Sequence, residues 1–265
     1  MTERTVLSCG NADIEIAYDY KKGGEESILF IHGLGACKEC FKDALDFLGY
    51  EKYSIVTPDL PGFGDSGKAE DFACTMKDYS AICRVLIESL DMKRVHIVAH
   101  SMGGAVGLLL ADEIPEKVLS YISLEGNLIA EDCWLSKKTI SRSLLEFTDN
   151  GFKKLRAGMK RSIDMSVANS NSMVLFNDWL AKSDPVAFYK CSESLVTLST
   201  SGELLEMFQQ FNKNKCYIYG EMNRNMPVIE QLDMIPKLMI ENAGHSMMTD
   251  NPTEFYQKLL MVLQQ

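Results

Sequence analysis

The sequence predicts an α/β fold: a mostly parallel central sheet flanked by helices, with a helical cap inserted after the sixth strand. Three observations predict it. Short apolar runs alternate with helical patterns in both flanks of the chain, which is the order that builds a parallel sheet. About 85 residues between these flanks contain helical patterns but no clear buried strand. Finally, residues 95–99 form an apolar run that turns directly into a helical pattern at Ser101.

The strands are predicted from two kinds of pattern. Residues 14–18 alternate apolar and polar side chains, as a half-exposed strand does. The other runs are continuously apolar and bounded by turn residues, which suits strands buried on both faces of a sheet. The predicted strands are 14–18, 28–31 (the third strand), 54–57 (the fourth), 95–99, 118–124 (the sixth), 216–219 and 237–240.

Helical patterns fill the intervals between these strands. Pro115 ends the third of them, because proline disfavours helical conformation in the residue before it. Pro252 stands in the first turn of the last one, where proline is tolerated. The predicted helices are 38–47, 75–90, 102–113 and 252–264, with 143–147, 152–161 and 204–211 in the middle of the chain.

The 265 residues allow one large domain or two small ones. The positions of the patterns favour one core, formed by residues 1–127 and 213–265, that carries residues 128–212 as the cap. The middle segment is rich in Met and aromatic residues, which we expect to roof a pocket or to pack the cap onto the sheet. These residues are Met159, Met165, Met173, Phe176, Trp179, Phe188 and Tyr189.

The composition excludes several classes of protein. With 46% hydrophobic and 24% charged residues, the chain is neither disordered nor fibrous. Its 27 Lys and Arg against 37 Asp and Glu give a formal net charge of −10, which argues against nucleic acid or an anionic membrane surface as partner. The longest apolar stretch, residues 105–111, is too short to span a bilayer.

The eight cysteines are scattered, and the first residues lack the apolar core of a signal peptide. We therefore expect a soluble, cytoplasmic protein with free thiols. Cys37 and Cys40 are three residues apart, but no second Cys or His pair stands at zinc-site spacing. No metal is predicted.

The strongest chemical signal is the segment 99–104, Ala-His-Ser-Met-Gly-Gly. A sharp turn between a buried strand and a helix would project Ser101 above the sheet as a nucleophile, and it requires small residues on both sides of the serine. The alternative is a small-residue turn with an ordinary surface serine.

The segment 30–35, Phe-Ile-His-Gly-Leu-Gly, ends the third strand. A tetrahedral oxyanion needs two rigid donors, and backbone N–H groups supply them. We expect these donors to be the amides of Leu34 and of Met102, which starts a helix. His32 is expected to hold this loop in place rather than to act as a base.

Residues 58–67, Pro-Asp-Leu-Pro-Gly-Phe-Gly-Asp-Ser-Gly, follow the fourth strand. With these, the chain resembles the α/β-hydrolase family: His-Gly-x-Gly, Asp-Leu-Pro-Gly-x-Gly-x-Ser and His-Ser-Met-Gly-Gly occur in the family's order and spacing. The resemblance covers about residues 14–127 and from 216 onward, whereas the middle segment matches only as a helical cap. These motifs are specific for the fold and say little about the substrate.

A serine nucleophile needs a base. The chain has four histidines: His32 lies in the oxyanion turn, His96 inside a strand and His100 beside Ser101. His245 remains, in a loop just past the last strand, where the resemblance places the family's catalytic histidine.

The acid departs from the family's commonest pattern. Most relatives carry an Asp in a Gly-x-x-Asp segment after the strand before last, but here Asn223 stands at that position. Some members place the acid after the strand that follows the nucleophile helix, and that position holds Glu125. The predicted triad is therefore Ser101, His245 and Glu125, with Glu221 as the second choice of acid. Glu125 as a simple strand-end cap is the structural alternative.

The resemblance implies a cofactor-independent serine hydrolase, with a carboxylic ester of small or medium size as the expected substrate. Two alternatives stay open: hydrolysis of a C–C bond in a vinylogous diketone, and a ligand receptor that keeps a slow hydrolase triad. A short basic face in the middle segment is expected to be solvated, with contact to an anionic substrate as the less favoured interpretation. It contains Lys153, Lys154, Arg156, Lys160 and Arg161. Nothing in the sequence predicts the oligomeric state.

Overall fold

The computed structural model describes residues 2–49, 51–68, 71–165 and 171–265. Eight strands of these residues form one sheet in the order β1-β2-β4-β3-β5-β6-β7-β8. The strands are β1 Thr2–Cys9, β2 Ala12–Lys21, β3 Glu26–Ile31, β4 Tyr53–Pro58, β5 Arg94–His100, β6 Val118–Leu124, β7 Asn214–Gly220 and β8 Lys237–Ile240.

The sheet is mostly parallel, as predicted. Strands β1 and β2 form an antiparallel hairpin, and β2 also runs antiparallel to β4. All pairs from β4 through β3, β5, β6 and β7 to β8 are parallel. The carboxyl ends of the parallel strands therefore meet at one edge of the sheet, which is where ligand sites form in open α/β folds.

The sequence patterns did not reveal β1. Its outward side chains, including Val6, are exposed at the edge of the sheet, and polar residues make up much of the strand. The hairpin to β2 depends on Gly10, whose φ of +60° suits a tight turn between Cys9 and Ala12. With β1 included, the strand at residues 28–31 is the third of the sheet in chain order, and the strand at residues 118–124 is the sixth.

The helices of the described residues are α1 Ala44–Phe47, α2 Met76–Ser89, α3 Met102–Glu113, α4 Trp134–Ile140, α5 Leu144–Glu146, α6 Phe152–Asp164, α7 Asn171–Leu180, α8 Pro185–Ser201, α9 Glu203–Gln210, α10 Pro227–Glu230, α11 Met247–Asp250 and α12 Pro252–Leu263. Helices α2, α3, α6, α9 and α12 match predicted helices, whereas α4, α7, α8, α10 and α11 were not singled out in the sequence. Local signals set their ends. Helix α2 begins at a capping box between Thr75 and Asp78, and α8 ends at Gly202, whose φ is +81°.

The predicted helix 38–47 is wrong as a single element. The structure has a short 3₁₀ turn, Lys38–Phe41, followed by α1. The Lys38 amide and ammonium group both bind the Asp59 carboxylate, which ties this turn to the loop after β4. Backbone bonds of the tighter 3₁₀ spacing, such as Lys42 N to Glu39 O, then replace α-helical ones.

Helices cover both faces of the sheet, and successive side chains of each strand enter different cores. In β3, Leu29 and Ile31 belong to the core under α2 and α3, whereas Ile28 and Phe30 belong to the core under α12. This period of two is the reason that the predicted runs are apolar without interruption.

The described residues between β6 and β7 contain helices and no strand, in agreement with the predicted helical segment. Helices α4 and α9 both pack on α8. The segment is attached to the core near the loop after β4, where the Asp184 amide donates to the Gly62 carbonyl at 2.7 Å. It lies at the edge of the sheet to which the carboxyl ends of β3 and β4 point, as shown by the side chains of the segment that surround Gly35, after β3, and Gly62, after β4.

Candidate active site

Ser101 occupies the sharp turn between β5 and α3. Its φ of +52° and ψ of −121° lie outside the ordinary regions for a residue with a side chain. The turn requires the two glycines that follow. A Cβ on Gly103 would lie 2.5 Å from the Ile31 carbonyl oxygen, and one on Gly104 would lie 2.6 Å from the Gly126 Cα. The sequence motif therefore reflects the close approach of three backbone segments.

Glu125 closes β6 and is almost completely buried, with φ +43°. Its carboxylate accepts a hydrogen bond from His245 Nδ1, with a distance of 2.6 Å between Oε2 and Nδ1. The Gly220 amide, 2.9 Å from Oε1, is a second donor. The structure thus brings together the predicted base and the first choice of acid, across about 120 residues of sequence.

Asn223, which stands where most relatives carry the acid, is a further donor to Glu125. Its Nδ2 lies 3.0 Å from Oε1 and 2.9 Å from Oε2 of that carboxylate. Glu221, the second choice of acid, is about a third exposed; its Oε2 accepts from the Asn242 amide at 3.0 Å, and it lies 3.7 Å from Arg224. Glu221 makes no hydrogen bond to His245 among the described contacts.

The pairing of Glu125 with His245 shifts both pKa values. Burial opposes ionisation of Glu125, but the hydrogen bonds from His245, Gly220 and Asn223 and the histidine's charge outweigh it and lower the carboxyl pKa. For His245, loss of solvation would lower the pKa, but the Glu125 hydrogen bond and charge raise it above 6.5. Since Nδ1 is held by Glu125, Nε2 is the nitrogen left for proton exchange.

Ser101 Oγ donates to Asn127 Oδ1 at 3.4 Å and makes no hydrogen bond to His245 among the described residues. The amide nitrogen of Asn127 is held by the Asp132 carbonyl oxygen at 2.7 Å. The side chains of Ser101 and His245 nevertheless line the same cavity. Hydrogen bonds between such groups are often long before substrate binds. Asn127 was not predicted, although it stands two residues after Glu125 in the same turn.

The loop after β3 lies directly beside the serine. A Cβ on Gly33 would lie 2.9 Å from the Ser101 Cβ. Met102 is the first residue of α3, so its amide has no acceptor within the helix. Outside helices and strands, the backbone hydrogen bonds of the described residues include none donated by Leu34 or Met102. Leu34 lines the cavity that contains Ser101, whereas Met102 is fully buried and is not among the residues that line it.

His32 holds this loop to the next one. Its Nδ1 donates to the Gly33 carbonyl oxygen at 2.8 Å, and its Nε2 accepts from the Leu60 amide at 2.9 Å. Complete burial lowers the pKa of His32, so the ring stays neutral and can both donate and accept. This is the structural role that the sequence analysis predicted.

A buried ion pair under the same loops was not predicted. Lys38 Nζ lies 3.0 Å from Asp59 Oδ2 and 2.8 Å from Asp65 Oδ2, and Lys38 and Asp59 are almost fully buried. Burial would lower the pKa of Lys38, but the two carboxylates together raise it well above its usual value. The network fixes the loop after β4 against the turn that follows Leu34.

The serine, histidine and glutamate line one cavity of about 490 Å³, together with Leu34. Four of the Met and aromatic residues expected to roof a pocket also line it: Met159, Met173, Phe176 and Trp179. The other three do not line it. Met165 is exposed, whereas Phe188 and Tyr189 are packed in the core.

Asp132 also lines this cavity and was not predicted. Its Oδ2 accepts from the amides of Leu128 and Ile129, whereas its buried Oδ1 has no hydrogen-bond partner among the described residues. Burial raises its pKa to about 6.

The pKa shift of His245 predicts the acid limb of the pH profile. With His245 as the predicted base, only its neutral imidazole can accept the serine proton, so kcat/KM is expected to fall as pH drops through the His245 pKa, which Glu125 holds above its ordinary value. Glu125→Gln removes the main cause of the raised pKa and should move the residual midpoint to lower pH. Asp132→Asn, which removes a smaller charge effect on His245, should move it less. Identical profiles for all three proteins would show that His245 is not the titrating base.

Among the described residues, no group of three or more His, Cys, Asp or Glu side chains has the arrangement of a metal site. The eight cysteines are unpaired thiols. The described helices include none that combines the length and apolar character needed to cross a bilayer.

The chain belongs to the alpha/beta hydrolase family, whose model matches residues 28–258. It is 36% identical over 107 residues to the dihydrolipoyllysine-residue acetyltransferase component of the acetoin cleaving system of Cupriavidus necator, covering 40% of this chain and 28% of that protein. It is 31% identical over 104 residues to the uncharacterized hydrolase YugF of Bacillus subtilis, covering 39% of this chain and 38% of that protein. The matches thus span well under half the length of these relatives.

The fold resembles that of a thermophilic esterase from Thermogutta terrifontis, with a TM-score of 0.81 over 100% of this chain and 98% of that one. The two sequences are 15% identical, so the similarity concerns the fold.

Proposed function

We propose that this protein is a cofactor-independent serine hydrolase that cleaves carboxylic esters through an acyl-enzyme on Ser101. One observation carries the proposal: a serine on a strained strand-to-helix turn shares a cavity with a histidine whose Nδ1 is held by a buried carboxylate. A serine hydroxyl becomes a strong nucleophile only when such a base removes its proton.

In the first half-reaction, His245 Nε2 takes the proton of Ser101 Oγ as the oxygen attacks the ester carbonyl carbon. Glu125 stabilises the imidazolium that forms and holds the ring in the tautomer with a free Nε2. The carbonyl oxygen gains negative charge and accepts hydrogen bonds from the Leu34 and Met102 amides. His245 then gives its proton to the leaving alcohol, and the acyl group stays on Ser101.

In the second half-reaction, His245 removes a proton from water, and the resulting hydroxide attacks the acyl carbon. Collapse of the tetrahedral intermediate releases the carboxylic acid and returns the proton to Ser101 Oγ. For this cycle the serine hydroxyl has to turn from Asn127 toward His245, which substrate in the cavity would favour by displacing the weak 3.4 Å hydrogen bond.

In this proposal, residues 128–212 form a cap on a core of residues 1–127 and 213–265. Met159, Met173, Phe176 and Trp179 bring apolar surface from the cap to the cavity, which suits the acyl chain of an ester. Methionine side chains adapt to ligands of different shape, so we expect tolerance of several acyl lengths.

A panel of p-nitrophenyl esters of graded acyl length, run beside a thioester and a vinylogous diketone, tests this function. We expect kcat/KM for the esters to rise as the chain fills the apolar lining and to fall once it exceeds the cavity. Preferential cleavage of the diketone would favour the C–C hydrolase instead. A ligand-dependent rise in melting temperature without turnover of any compound would favour the receptor.

A further inference from the structure

A second concavity, of about 430 Å³, adjoins the Ser101 cavity, and among the described residues that line it all the charged ones are basic. It lies in the helical segment, lined largely by α4, α6 and the turns between them. Four cationic side chains line it: Lys138, Arg142, Lys154 and Arg161. We call this concavity the basic groove.

The basic groove and the Ser101 cavity share part of their lining. Trp134, Leu135, Met159 and Met173 line both. The two concavities therefore meet at these four apolar side chains, and a ligand that reaches from Ser101 to the groove would pass them. Phe147 and Leu155 add further apolar surface there, so the groove suits an anionic group carried on an apolar chain.

The four cations of the groove have no carboxylate partner within 4 Å among the described residues. Between residues 134 and 163 the sequence has eight Lys and Arg against two Asp and Glu, whereas the whole chain has a net charge of −10. An ordinary solvated surface of an acidic protein would intersperse these charges with carboxylates. The local excess of positive charge favours an anionic group in the groove.

The structure also divides the basic face of α6 in two. Lys154 and Arg161, seven residues apart, line the groove. Lys153 and Lys160 have the same spacing on the same helix, are exposed, and do not line it. Of these four residues, only Lys154 and Arg161 therefore line the groove, and Lys153 and Lys160 provide a matched control.

We propose that the basic groove is a subsite for an anionic group, phosphate or carboxylate, on the substrate whose ester carbonyl lies at Ser101. Arginine binds such oxyanions through paired N–H donors, and lysine binds them as a point charge. The proposal rests on the proposed hydrolase function and narrows it to amphipathic esters with a negative charge. Because each exposed ion pair is weak, the selectivity comes from several acting together.

The test compares substrates that have the same ester bond but differ in charge. One pair is 1-hexanoylglycerol 3-phosphate and 1-hexanoylglycerol; the other is the mono-p-nitrophenyl ester of adipic acid and p-nitrophenyl hexanoate. The wild-type protein should prefer the anionic member of at least one pair, and that pair identifies phosphate or carboxylate. Replacing both Lys154 and Arg161 by Gln should lower the anionic-to-neutral ratio of kcat/KM about tenfold, mainly through KM.

Replacing both Lys153 and Lys160 by Gln removes the same charge from the same helix and should change that ratio less than twofold. An equal fall in both double variants would mean that only the overall charge matters and would overturn the subsite. Absence of any anionic preference in the wild-type protein would overturn it as well.

A binding measurement separates this proposal from the hydrolase function. The ether 1-O-hexylglycerol 3-phosphate cannot be hydrolysed, and calorimetry on the Ser101→Ala protein measures its Kd without turnover. In this background, the double change Lys154→Gln and Arg161→Gln should weaken binding about tenfold. The double change Lys153→Gln and Lys160→Gln should alter the Kd less than twofold. This binding result, together with a wild-type protein that hydrolyses no ester, would retain the subsite and reject the proposed function. Equal binding by all three proteins would reject the phosphate subsite.

Discussion

Replacing Ser101 by Ala should lower kcat for p-nitrophenyl butyrate by about 10⁵- to 10⁶-fold, because the acyl group then has no oxygen to bond to. The comparison uses initial rates at saturating ester and a pH above the His245 pKa. Ser246 also lines the cavity, and Ser246→Ala should retain kcat within about threefold. Thus the loss would follow from the nucleophile and not from the removal of a hydroxyl near His245.

Folding has to be separated from chemistry in this variant. Ser101 has a φ of +52°, a value that glycine adopts without strain. Ser101→Gly should therefore fold at least as stably as the wild-type protein and be as inactive as Ser101→Ala. Activity retained by either variant would remove Ser101 from the proposed mechanism.

Replacing Glu125 by Gln should lower kcat by about 10⁴-fold, while Glu221→Gln should lower it by less than about threefold. A glutamine keeps the size of the side chain but carries no charge to stabilise the imidazolium, and its amide favours the wrong tautomer of His245. Glu221 is the matched control, because it lies in the turn that carries Asn223 but binds the Asn242 amide instead. Steady-state kinetics on the two variants measures both effects.

A large loss of kcat in Glu221→Gln with a small loss in Glu125→Gln would identify Glu221 as the acid instead. A small loss in both variants would show that His245 does not need a carboxylate at Glu125. A thermal melt accompanies the kinetics, since Gly220 and Asn223 also donate to the Glu125 carboxylate and a glutamine satisfies these donors less well.

The features best predicted from the sequence are those determined by residues close together in the chain. Residues 99–104 predicted the strand-to-helix turn because Gly103 and Gly104 have to let the Ile31 and Gly126 backbones approach closely. The continuous apolar runs predicted the parallel strands because both faces of the sheet are covered. Strand β1 escaped prediction because an exposed edge strand carries little apolar pattern.

Contacts between distant segments could not be predicted in the same way. Nothing local to Asn223 indicates that it donates to a carboxylate 98 residues away. Similarly, Lys38 resembles any surface lysine in the sequence, and only the fold shows that two aspartates surround it. Asn127 and Asp132 were missed because their roles depend on how the chain turns after β6.

Catalysis at Ser101 is tested most simply by the intact mass of the protein after reaction with a fluorophosphonate, followed by peptide mapping. A single adduct on Ser101 is expected, at a rate that falls steeply in Glu125→Gln, together with no adduct in Ser101→Ala. An adduct on another residue, or an unmodified wild-type protein that still hydrolyses esters, would contradict catalysis through an acyl-enzyme on Ser101.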